Sequence, residues 1–109
     1  MCLDFHDKMC ILVENFDEAF QLCQMLDEAN IKWVGGNVAS ELVTFKDPGV
    51  YYVISQGIRV NPVIWWHLAS GAQQRRIMED VAMGALEPPV RFCDLFHTRV
   101  SIPTVDDLL

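Results

Sequence analysis

The sequence predicts an α+β fold: an antiparallel-rich sheet of about four or five strands with helices packed on one face. Three observations predict it. An apolar run at residues 8–14 leads straight into a stripe of helical period. Short β-branched and aromatic segments then crowd residues 31–60, each closed by Gly, Pro or Asn. A further helical pattern follows up to Met83. All of this fits one domain over residues 1–109, with 86–109 as a Pro-containing C-terminal extension that could add an edge strand.

Taken in order, Lys8-Met9-Cys10-Ile11-Leu12-Val13-Glu14 reads as a central strand. Asn15, with Glu18 three residues later, has the form of a capping box. Phe16, Ala19, Phe20, Cys23 and Leu26 then recur at the spacing of one buried helical face, and Asn30 suits a left-handed stop. Ile31–Val34 reads as a second strand, broken by Gly35-Gly36-Asn37. Residues 38–46 read as a further strand, and Asp47-Pro48-Gly49 as a turn. Val50-Tyr51-Tyr52-Val53-Ile54-Ser55 has strong strand character, with Gln56-Gly57 folding it into a hairpin with Ile58-Arg59-Val60.

Asn61-Pro62 then predicts a helix start, with Ile64, Trp65 and Leu68 on its buried side and Trp66 on its flank. Ser70 and Gln73 predict the cap of the next helix, which carries Ile77, Met78, Val81 and Ala82 inward and stops at Gly84. Beyond Pro88-Pro89, residues 90–102 read as extended, and Thr104 as the cap of a last turn.

Charge narrows the function classes. The formal net charge is −7, with nine acids against three lysines in residues 1–50 and six acids against five arginines in residues 51–109. Such a balance disfavours non-specific nucleic-acid or anionic-membrane binding, since both need clustered cations. It suits a protein partner with a basic surface. No apolar run reaches the roughly 20 residues of a membrane span, and the acidic start lacks a signal-peptide pattern. The expected location is therefore the cytoplasm, with the cysteines as reduced thiols.

Chemistry-bearing constellations are sparse. Cys2, His6 and Cys10 stand four apart, as do Cys93 and His97. Zinc ligands at that spacing converge only on a helix, and neither segment reads as helical, so no metal and no cofactor is expected. Cys2 or Cys93 beside a histidine is the arrangement a thiol enzyme would need, but no local signature surrounds either. Gly35-Gly36-Asn37 lacks the rest of a phosphate-loop motif. The paired aromatics Tyr51-Tyr52 and Trp65-Trp66 point to a contact surface, because neighbours on a strand or helix cannot all be buried equally.

The stretch Phe16-Asp17-Glu18-Ala19-Phe20, the helix to Leu26, and Ile31-Lys32-Trp33-Val34-Gly35-Gly36 resemble small α+β proteins encoded by bacteriophages and other mobile elements. Their pattern is a short acidic helix followed by a hydrophobic-Lys-Trp-x-x-Gly strand. Val50–Ile54 with Gly57-Ile58 is similar to their aromatic strand and hairpin. The likeness covers about residues 9–60 and departs over 62–83 and the tail. Some small acidic phage proteins inhibit host defence, anti-CRISPR proteins among them. The resemblance implies such a role and transfers no catalytic residue.

The expected function is thus a non-enzymatic binding protein, an inhibitor docking on a basic surface of a host defence nuclease. Asp17, Glu18, Asp27 and Glu28 would make the electrostatic contact, with Tyr52 and Trp66 as aromatic anchors. The alternative is a module for a nucleotide signal or other small molecule, with Arg59, Arg75, Arg76 and Arg99 lining a phosphate pocket, as a monomer or across a homodimer. A Cys/His-dependent enzyme is the third class.

Overall fold

The computed structural model describes residues 5–95. Its elements are β1 (Cys10–Val13), α1 (Phe16–Glu28), β2 (Lys32–Trp33), a 3-10 turn (Ala39–Leu42), β3 (Val50–Ser55), β4 (Val63–Leu68), α2 (Gly71–Ala82) and β5 (Val90–Arg91). Residues 92–95 add a helical turn. The α+β class holds. Among the described residues, no helix is long and apolar enough to cross a membrane.

The five strands lie in the order β2-β4-β3-β1-β5. Two pairings are antiparallel, β1 with β3 and β3 with β4, and two are parallel, β2 with β4 and β1 with β5. Only β3 therefore runs against the other four. The sheet is mixed rather than antiparallel-rich, because the β3–β4 hairpin is inserted between β1 and β2, which point the same way.

Helices cover both faces, not one. Strand alternation decides this: Val50, Tyr52 and Ile54 of β3 meet Ala19, Leu22, Cys23 and Leu26 of α1, together with Ile11, Val13 and Ile64. The intervening Tyr51 and Val53 join Cys10 and Ile77 of α2 on the other side. Each large apolar side chain removed from water here contributes about 1.5–3 kcal/mol.

The predicted start and stop of α1 are both present. Asn15 Oδ1 accepts from the Glu18 amide at 2.9 Å, while Glu18 Oε1 reaches back to the Glu14 amide at 2.8 Å. Asn30 adopts φ +62°, and the Ile31 amide donates to Leu26 O at 2.9 Å, closing the last turn. The second helix is also present, although Ser70 caps it without a side-chain hydrogen bond.

Three segments differ from expectation. Residues 63–68 form β4 rather than a helix. Val63-Ile64-Trp65-Trp66-His67-Leu68 pairs along its whole length with β3, which satisfies more backbone groups than one and a half helical turns could. The hairpin closes later than expected, and Ile58 and Val60 are loop residues in solvent. Residues 38–46 contain the 3-10 turn and irregular chain instead of a strand. That chain is nonetheless anchored: the Tyr52 hydroxyl donates to Thr44 O at 2.7 Å and accepts from the Thr44 amide at 3.0 Å. At Gly49 the chain passes so close to β1 that a Cβ would sit 2.9 Å from Val13 O. The predicted turn at Thr104 lies outside the described residues, as does the greater part of 90–102.

Candidate functional site at the open half of β4

Strand β4 is flanked by β3 throughout but by β2 for only two residues, Lys32 opposite Val63 and Trp33 opposite Ile64. After the Val34 amide donates to Ile64 O at 3.1 Å, the chain turns away through Gly35-Gly36, with Gly36 at φ +101°. Among the described residues, the rest of β4, Trp65–Leu68, has no strand beside it on that side.

Backbone direction along this edge follows from two hydrogen bonds. The Ala69 amide donates to Gly49 O at 2.9 Å, towards β3, while Ile64 O faces β2. Groups of alternate residues point the same way, so those of Trp65 and His67 bond to β3. Those of Trp66 and Leu68 point outward, and no partner among the described residues meets them.

Side chains make the edge apolar. Trp65 and Trp66 lie on opposite faces of the strand, 42% and 40% exposed. Both line a groove of about 370 Å³ with Trp33, Val34, Gly35, Asn37, Leu42, Thr44 and Ile64. A second concavity of about 600 Å³ continues along the same edge, bounded by Trp66, His67, Leu68, Gln73 and Arg76. Trp33 is the fixed wall: it is buried, its Nε1 donates to Ala39 O at 3.1 Å, and its ring lies 5.4 Å from that of Tyr52.

The expected contact residues are divided by the fold. Trp66 is exposed at the groove. Tyr52 is fully buried and offers no surface, which corrects its assignment as an anchor; its hydroxyl is occupied by Thr44. Trp65, expected in the core, is at the surface because β4 is a strand. Ten residues of helix, about 15 Å, separate Asp17 from Asp27, so the four acids form no single patch. Asp27 accepts from the Ser40 amide at 3.2 Å and so sits against the 3-10 turn that carries Leu42 to the groove. Glu28 follows it. Glu18 is engaged as the helix cap, at the far end with Asp17.

The arginines do not converge. Arg75 and Arg76 line a depression of about 400 Å³ on the outer side of α2, shared with Glu79 and Asp80. Arg59 is on the β3–β4 loop, at the opposite end of β4 from the start of α2. Arg99 lies outside the described residues, as do Cys2 and His97.

Burial pushes the Cys10 thiol up to about 12 and the Cys23 thiol up to about 11, far from the reactive range. Cys93 is half-buried and stands in the helical turn at 92–95, not in an extended segment. Its sulfur and the carboxylates of Glu14 and Glu18 offer donor atoms within 4.8 Å of one another. Those carboxylates are already engaged, Glu14 with Arg91 at 3.0 Å and Glu18 with the Glu14 amide. Sequence reading missed this grouping because it pairs Cys93 with residues some eighty positions away. It also missed the free edge, although the early Gly35-Gly36 break after a short strand was the available signal.

Compared with known protein families, with curated proteins and with solved structures, the chain matches none.

Proposed function

We propose that this protein works by binding a protein partner, without catalysis, through the open half of β4. One observation carries the reading: two adjacent tryptophans stay two-fifths exposed beside a groove and a strand edge that is unpaired among the described residues. Large aromatics in a concave setting are the usual anchors of protein interfaces. Asp27 stands against the 3-10 turn whose Leu42 lines the groove, and the net charge of −7 favours a basic counterpart. The role that fits a small acidic binder of this kind is inhibition of a host defence nuclease, in line with the resemblance over residues 9–60.

The competing classes have less support. A nucleotide pocket at Arg75 and Arg76 would place phosphates beside Glu79 and Asp80. Among the described residues a thiol enzyme is left with Cys93, whose Sγ donates to Asp94 Oδ1 at 3.8 Å and has no histidine bonded to it.

The test is a pull-down from host lysate read by mass spectrometry. Wild-type chain is compared with Trp66→Ala and with the double charge reversal Asp27→Lys, Glu28→Lys. Specific capture by wild type, lost in both variants while circular dichroism is unchanged, is the expected result. Equal capture by all three removes the site.

A further inference from the structure

We infer that the partner supplies an extended segment that joins the sheet as a strand beside Trp66–Leu68, in line with β2. The inference rests on the binding reading above and specifies its mode. Outward N–H and C=O groups on an unprotected edge are a template for a further strand. Here they occur at Trp66 and Leu68, where the position beside β4 that continues β2 is open among the described residues. The grooves on this edge meet at Trp66, so a strand seated there has a recess for its side chains on either side of that residue.

The same geometry states the segment's chemistry. One large apolar side chain enters the groove between Trp33 and Trp66, which holds about 370 Å³. A basic residue in the segment complements the chain's formal net charge of −7. An acceptor lies where Gln73 and Arg76 bound the second recess. A second copy of this chain is disfavoured as the occupant, since edge-to-edge pairing would bring two bodies of charge −7 together.

The probe is a phage-displayed library of random peptides of about eight residues, selected on the immobilised full chain. The best binder is then synthesised and added to the isotope-labelled full chain. Expected sequences combine an aliphatic or aromatic residue with Lys or Arg. The amides of Trp66 and Leu68 should exchange freely in the unbound chain and slow by at least about tenfold in the complex, while that of His67 is slow in both. Leu68→Pro removes an N–H that has no partner among the described residues, together with a side chain packed against the core. It should weaken the peptide by about tenfold or more. Where that variant does not fold, the exchange rates alone decide.

Peptide binding that is lost in Trp66→Ala but leaves Trp66 and Leu68 unprotected overturns strand addition and leaves the binding reading intact. Failure to select any peptide, while lysate capture through Trp66 succeeds, does the same. Protection that appears on concentrating the chain alone overturns the inference in favour of a second copy.

Discussion

Strands β3 and β4 are neighbours of equal length, six residues each, and each carries an adjacent aromatic pair. Tyr51 and Tyr52 of β3 are buried, whereas Trp65 and Trp66 of β4 are two-fifths exposed. Residue type cannot account for this, since tryptophan is the larger apolar group. Position does: β3 has strands on both sides and helices over both faces, while β4 loses β2 after two residues. The comparison teaches that the same local pattern serves as core in one strand and as surface in the next, according to what the rest of the chain places beside it.

Substitutions can break that contrast or sharpen it. The largest effect is expected from Tyr52→Ala, which should destabilise the protein by about 3–5 kcal/mol in urea unfolding, as truncation of a buried aromatic does. A loss below about 1 kcal/mol would show that β3 is not the packed strand.

Next comes pH. Cys10, raised from 9.0 to about 12, and Cys23, raised to about 11, lie one on each side of the sheet. Burial also raises Tyr52. All three bind their protons more tightly folded than unfolded, so stability is full below pH 9 and falls as pH rises towards 12. Denaturant midpoints across that window measure it. A flat profile would mean that the interior admits water.

Tyr52→Phe keeps the ring and leaves the amide and carbonyl of Thr44 without their partner, at a cost of about 1–3 kcal/mol. The smallest effect is Trp66→Ala, within about 0.5–1 kcal/mol on stability although it removes more side-chain volume than Tyr52→Phe. Thermal unfolding of the two variants side by side gives the ratio. Near-equal losses would erase the difference between the strands.

The contrast also explains what the sequence made legible. The ends of helix α1 were readable, because Asn15 and Asn30 act through contacts within a few residues; of its expected buried stripe Ala19, Cys23 and Leu26 are inside, while Phe16 and Phe20 are exposed. Strand β3 was readable for a similar reason: it is rich in β-branched and aromatic residues and bounded by turn residues. The β4 segment was misread, since Asn61-Pro62 followed by Ile64, Trp65 and Leu68 also fits a short helix. Pairing with β3 settled the matter, and pairing is a non-local fact. Of the residues lining the groove, Trp66 alone stood among the expected contact residues. The edge was not legible, because its openness depends on where β2 stops relative to β4. Tyr52 was misassigned because a tyrosine suited to an interface is equally suited to a core in which its hydroxyl finds the backbone of Thr44.

That clasp between Tyr52 and Thr44 has a kinetic corollary. It fixes the irregular chain forming the far wall of the groove to the middle strand of the sheet, so the recess exists before anything enters it. Association should then follow a single exponential in stopped-flow tryptophan fluorescence, with a rate that rises linearly with partner concentration and shows no plateau from a slow opening step. Cutting the clasp with Tyr52→Phe should introduce that plateau.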